Sequence, residues 1–235
     1  MLERKQALVI STFESSGEKQ MKTDLFLLNK TITDKKISFT LRFYLWQGDW
    51  ISIGYHQKNI PPEWENLSKD GLIKIVRRPT GGGAVLHSGG ITYSITFQKT
   101  DYKKYSYQLV NNWLIKSFSK LGLELKNGTE KKSSIAKNCF SSSLFSDLID
   151  LKGFKRIGSA QYWRKGSFLQ HGEIQLNPNN YLWQRIFGEN GPPPTQIKLN
   201  RKDIITYLTD SFLKHHSGPG IENIFIDHNN LHDYF

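Results

Sequence analysis

A chain of 235 residues, 37% apolar and 13% aromatic, holds enough core-forming side chains for one sizeable domain, which excludes global disorder and a peptide-sized scaffold. Its single cysteine, Cys139, excludes an internal disulfide framework and any multi-cysteine metal cage. The 32 Lys and Arg against 21 Asp and Glu leave a net charge of +11, which favours acidic partners without choosing among nucleic acid, anionic lipid and acidic protein.

In chain order, Met21, Leu25 and Leu28 follow the Ser15-Ser16-Gly17 breaker at helical spacing and predict a helix over about Glu18–Leu28. Ile37, Phe39, Leu41, Phe43 and Leu45 alternate with Ser38, Thr40, Arg42 and Tyr44, the period of a strand. A short strand at Trp50–Gly54 and a loop containing Pro61-Pro62 come next. Strands are expected at Ile73–Arg77, Ala84–His87 and Ile91–Phe97, the last two joined as a hairpin by Ser88-Gly89-Gly90. Val110, Trp113, Leu114, Phe118 and Leu121 mark an amphipathic helix, and Asn127–Ser143 reads as a polar exposed loop carrying Cys139. Phe154–Trp163 and Phe168–Leu176 form a strand–turn–strand unit. Helices near Tyr181–Phe187 and Ile204–Leu213, with Pro192-Pro193-Pro194 between them, close the fold. The reading is one α+β domain over residues 1–235, with a core at about 10–215 and a polar tail at 217–235.

Two stretches can carry chemistry. In Arg77-Arg78-Pro79-Thr80-Gly81-Gly82-Gly83-Ala84-Val85-Leu86-His87, glycines between two strands let backbone approach a ligand, and exposed N–H groups can receive carbonyl or phosphate oxygens. The spacing is neither a dinucleotide fingerprint nor a Walker loop. By itself, a flexible turn would explain it. In Lys155-Arg156-Ile157-Gly158-Ser159-Ala160-Gln161, a lysine precedes a small-residue strand against which a ligand could lie. Gln170-His171-Gly172 follows.

Taken together with Glu18–Asp24, Ser52-Ile53-Gly54-Tyr55-His56-Gln57 and Thr92-Tyr93-Ser94, these motifs occur in an order that resembles the lipoate–protein ligase and octanoyltransferase family over roughly residues 10–215. The family shares its catalytic domain with biotin–protein ligases. The resemblance implies a mixed, largely antiparallel sheet flanked by helices, with the acyl chain buried in a tunnel. It implies that Arg77, Gly81, Gly82, Gly83 and His87 line the acyl and activated-carboxyl site. Gly158, Ser159, Ala160, His171 and Gly172 are expected beside them, with Lys155 binding the reacting carbonyl. Gly89-Gly90 departs from the family pattern, in which many members carry an acidic or polar residue.

The subtype turns on Cys139. A Cys-Phe dipeptide 16 positions before Lys155 is similar to the branch that acts through a thioester, where the cysteine is the nucleophile, and a neighbouring ammonium would favour its thiolate. The expected activity is transfer of an octanoyl or lipoyl group to a lysine of an acidic lipoyl carrier domain, with octanoyl-carrier protein as donor and no cofactor. The alternative is a ligase using ATP and Mg to form lipoyl-AMP. The short stretch after Gly172, about 60 residues, leaves no room for the accessory domain of many ligases. A nucleic-acid-binding module would use the charge but leave the glycine loop and Lys155 without a role. No apolar run approaches the roughly 18–20 residues of a bilayer span, and Met1–Gln6 lacks the apolar core of a secretory signal, so a cytoplasmic protein with no membrane contact is expected. No metal site is expected: His215, His216, His228 and His232 read as solvated histidines near the tail.

Overall fold

The computed structural model describes residues 4–98, 105–128 and 146–231. Within them, an eight-stranded sheet runs in the order β11-β1-β2-β6-β10-β9-β8-β7 and a three-stranded sheet in the order β4-β3-β5. The large sheet comprises β1 (Lys5–Ser15), β2 (Ile37–Trp46), β6 (Ile91–Phe97), β7 (Leu125–Asn127), β8 (Leu148–Asp150), β9 (Lys155–Arg164), β10 (Ser167–Ile174) and β11 (Ile221–Ile226). The small sheet comprises β3 (Trp50–Ile53), β4 (Lys74–Arg77) and β5 (Val85–His87). β1 lies parallel to β2 and β11, while β2, β6, β10, β9, β8 and β7 pair antiparallel in turn. The expected mixed, largely antiparallel α+β architecture is therefore the one observed.

Helices α3 (Ser106–Lys120) and α5 (Arg201–His216) cover one face of the large sheet. Phe39, Leu41 and Phe43 of β2 pack there with Trp113, Phe118 and Phe212 in the main core. The alternate β2 residues Thr40, Arg42 and Tyr44 are also buried. Helix α1 (Gly17–Thr33) covers that second face, its first turn capped by Ser16 accepting from Lys19 N. A period of two reveals which residues share a face; it does not reveal whether the polar face is covered.

Three expectations about organisation need correction. Pro62 does not lie in a loop but opens helix α2 (Pro62–Lys69), where its missing N–H is not needed. β5 and β6 do not form a hairpin: β5 pairs with β3 in the small sheet, and β6 pairs with β2 and β10 in the large one. The Ser88–Gly90 link instead carries the chain from one sheet to the other. Gly89 takes φ 74° there, and a side chain on it would collide with Asn177 O.

The 217–235 segment is not a loose tail where the structure describes it, since β11 extends the large sheet beside β1. Ile226 and Leu231 are buried with Leu8, Ile10 and Leu27. His228 is not simply solvated: it stacks on Phe13 at 4.7 Å and its Nδ1 lies 3.0 Å from Ser11 Oγ. His216 packs against Phe212 at 4.3 Å. β11 escaped the sequence reading because Pro219 and Gly220 precede it and its exposed edge is polar. Helix α4 (Asn180–Phe187) completes a smaller core in which Trp183 and Leu182 meet Trp64 and Ile51.

Ile226→Ala is expected to cost about 2–4 kcal/mol through lost burial and the cavity left behind. Urea unfolding gives the value, and a change within error would mean that this segment behaves as a solvated tail.

Candidate functional site

The cross-strand register of the large sheet builds the site in two rows on the face beneath α1. One row is Arg42, Ser94, His171 and Ala160, and the other is Tyr44, Thr92, Glu173 and Gly158, each crossing β2, β6, β10 and β9. Polar side chains occupy the first three places of each row. The small residues at the β9 end leave room against the sheet, and the small sheet roofs it with Ser52, Val85 and His87.

The first row is held by a buried ion pair. Arg42 and Asp24 approach to 2.8 Å with no exposed side-chain surface on either. Gln20 takes the rest of the guanidinium through its side-chain and main-chain oxygens, at 2.8 and 2.7 Å. Asp24 also accepts from His171 Nδ1 at 2.9 Å, and His171 Nε2 lies 2.7 Å from Thr80 Oγ1 in the glycine loop. Burial alone would raise the Asp24 pKa, but Arg42 and the His171 hydrogen bond outweigh it and hold the carboxyl below its usual value.

In the second row, Glu173 Oε2 accepts from His87 Nδ1 at 2.8 Å and from the Thr92 hydroxyl. His87 Nε2 lies 2.7 Å from Ser52 Oγ, and Trp46 stacks on the imidazole with centroids 3.9 Å apart. Burial pushes the His87 pKa below its ordinary value although Glu173 opposes it, so the ring is neutral at pH 7. Gly90 makes this possible, because a Cβ there would fall on Glu173 Oε1.

Between the two rows and the small sheet lies a narrow cavity, bounded also by Met21 and Arg78. Polar side chains contribute much of its frame, yet their polar atoms turn toward one another. The space left suits an apolar chain. A second cavity, of about 190 Å³, lies across Trp46, His87 and Glu173 and reaches Asp49, Gly90 and Arg201.

Of the residues singled out in the sequence, His87, Gly158, Ser159, Ala160, His171 and Gly172 line the first cavity. Arg77, Gly81, Gly82, Gly83 and Lys155 do not. Arg77 braces the Gly54–Gln57 turn through three carbonyl oxygens. Its neighbour Arg78 lines the cavity and organises the glycine loop, donating to Gly81 O at 2.7 Å and Gly83 O at 2.6 Å. Gly82 and Gly83 border a separate cleft with His56, Gln57 and Trp64. Lys155 is not an exposed strand-edge charge: it is buried, with Nζ 2.7 Å from Asp147 Oδ2. Arg156 is likewise buried, against Asp150 at 2.7 Å. Cys139 and His232 lie outside the described residues. Among the described residues, no group of three or more His, Cys, Asp or Glu could hold a metal ion.

Sequence reasoning passed over Arg42, Trp46 and Glu173, and quoted Asp24, Ser52 and Arg78 only as members of motifs, without a role of their own. Arg42 carried a signal, an arginine in the middle of the most regular apolar alternation in the chain. Glu173 carried one too, following His171-Gly172 within a strand. Their partners could not be read, because Asp24 and His171 are 147 residues apart.

The model of the lipoyl protein ligase A/B catalytic domain matches residues 16–199. Over 170 residues the chain is 36% identical to octanoyltransferase LipM of Oceanobacillus iheyensis, an overlap of 69% of this chain and 60% of that protein. It is also 36% identical over 160 residues to octanoyltransferase LipM of Bacillus subtilis, covering 62% of this chain and 56% of that protein. The chain therefore spans under two thirds of the length of these curated relatives. Among solved structures it is similar to the bi-partite lipoate protein ligase of Thermoplasma acidophilum, described with its E2 lipoyl domain. That likeness has a TM-score of 0.70 and 21% identity, and covers 96% of this chain and 88% of that one.

Asp24→Asn is expected to cost about 3–5 kcal/mol at pH 7, since it leaves the buried Arg42 without a counter-charge. A carboxyl with a depressed folded pKa stabilises fully above its unfolded value near 3.9 and loses that contribution as the pH falls below it. The gap between wild type and Asp24→Asn in urea unfolding should accordingly narrow from pH 7 to pH 3. A gap independent of pH would contradict the ion pair.

Proposed function

The chain belongs to the lipoyl protein ligase A/B catalytic-domain family, and from that premise we propose that it transfers an octanoyl group to a lysine of a lipoyl carrier domain. The observation that carries this reading is the apolar cavity framed by the two rows, in a chain 36% identical to octanoyltransferases. In this proposal the acyl chain lies in the cavity and its carbonyl remains at the opening. The Cys139 thiolate attacks the carbonyl carbon of an octanoyl-carrier thioester, the donor carbon–sulfur bond breaks, and the donor thiol leaves with a proton. The exchange of one thioester for another is nearly neutral in energy. The carrier lysine amine then attacks the Cys139 thioester, the amide forms, the amine loses a proton, and the Cys139 thiol is regenerated. No nucleotide is required.

Lys155 is proposed to favour the oxyanion that develops on the reacting carbonyl. Its pairing with Asp147 supports a fixed position for the ammonium and makes the obvious test ambiguous. Lys155→Ala would leave Asp147 buried without this cation, at a cost of about 3–5 kcal/mol. The double variant Lys155→Met with Asp147→Leu removes both charges and is expected to fold while losing transfer. Transfer that persists in a folded double variant would remove Lys155 from the mechanism.

An acidic carrier surface suits the net charge of +11, and encounter should slow with salt. Mixing the protein with octanoyl-carrier protein and a lipoyl-domain acceptor is expected to add one octanoyl mass to the acceptor. A covalent octanoyl adduct on the protein should vanish in Cys139→Ser. Acceptor modification that needs lipoate, ATP and Mg, and survives Cys139→Ser, would instead establish the ligase reading. No mass gain under either regime would overturn lipoylation altogether.

A further inference from the structure

The wall formed by Trp46, Ser52, His87, Thr92 and Glu173 has its hydrogen-bond directions set by one group. A carboxylate can only accept, so His87 Nδ1 and the Thr92 hydroxyl both meet Glu173 Oε2 as donors. With the proton on Nδ1 and burial disfavouring a second one, His87 Nε2 accepts from the Ser52 hydroxyl at 2.7 Å, whose oxygen in turn receives Arg78 Nη1 at 3.3 Å. Thr92 has given its proton to Glu173, so its oxygen receives Trp46 Nε1–H at 2.7 Å. The Trp46 ring is then held against His87 at an interplanar angle of 20°. The donor protons of these four residues are all taken within the wall, and none is left for an occupant of the cavity.

We infer that Glu173 is a specificity-determining residue: by fixing the direction of every hydrogen bond in this wall, it makes this side of the cavity accept a bare alkyl terminus and reject one that needs a hydrogen-bond donor. This rests on the proposed acyl function, in which the reacting carbonyl must stay within reach of a carrier lysine. The far end of the chain is therefore the part that meets the buried wall. A ketone oxygen near that terminus can only accept, so it would lose its water and find no donor in this wall, a penalty of about 10- to 100-fold in affinity. Glu173 acts here through His87 and Thr92, so it is a positioning residue for the wall.

The test uses octanoate and 7-oxooctanoate, whose ketone can only accept, titrated calorimetrically against the whole protein. Wild type is expected to prefer octanoate. Glu173→Met removes the acceptor, frees His87 to carry its proton on Nε2 and releases the Ser52 hydroxyl toward the cavity. The preference should then fall by about tenfold, the worth of one recovered hydrogen bond. Adding Ser52→Ala to Glu173→Met should restore it. Glu173→Gln offers an amide oxygen in the place of Oε2 and should keep the wild-type preference. A merely structural role would weaken both ligands together and leave their ratio unmoved.

Nitrogen-15 NMR of His87 in the wild-type protein gives a reading that does not depend on any variant folding. The Nδ1–H tautomer is expected, and an Nε2–H tautomer would overturn the inference. Failure of wild type to bind octanoate would overturn the acyl reading and this inference with it. Binding with an unchanged ratio in Glu173→Met would overturn the inference alone.

Discussion

Arg42 sits in the middle of an inner strand, between a helix and a sheet, where an unpaired guanidinium would be untenable. Asp24 answers it from α1, and the rest of the cavity follows from that pairing. Once the carboxylate is anchored by Arg42, it can accept from His171 on β10. Through Thr80, His171 then reaches the glycine loop. One ion pair thereby joins the helix, two central strands and the loop that connects the strands of the small sheet. The arrangement is favourable because every donor of Arg42 has a named acceptor and the charge is matched locally, so desolvation is offset rather than left standing.

Glu173 plays the corresponding part on the opposite wall, with a different result. Asp24 meets a permanent cation, whereas Glu173 meets a neutral histidine and a hydroxyl. Its effect is directional rather than electrostatic: it decides which atom donates and which accepts along a chain ending at Trp46. The polar groups that line the cavity are turned to one another, and this is how a cavity framed by Ser, Thr, His, Arg and Glu can offer an apolar interior. Such a network is costly if one member is missing, because the remaining groups lie in low dielectric without partners.

The proposed chemistry places different demands on Lys155. It is paired with Asp147, while Gly158, Ser159 and Ala160 further along β9 line the cavity, beyond a register shift of β9 against β8.

The sequence by itself determined the elements with strong periodicity, β2, β6, α3 and the β9–β10 unit, because alternation and helical spacing are local properties. It also determined the family, through the Arg-Arg-Pro-Thr-Gly-Gly-Gly-Ala-Val and Gly-Ser-Ala-Gln motifs, and six of the residues that line the cavity. Tertiary structure alone decided that the polar face of β2 is covered and that β5 leaves β6 for another sheet. It also showed that residues after Gly220 form an edge strand. It alone paired Asp24 with Arg42 and His171, and Glu173 with His87 and Thr92, across separations of 18 to 147 residues. The reason is physical. A polar residue announces that it needs a partner, but which partner it meets depends on sheet order and register, and these are settled by the packing of the whole chain.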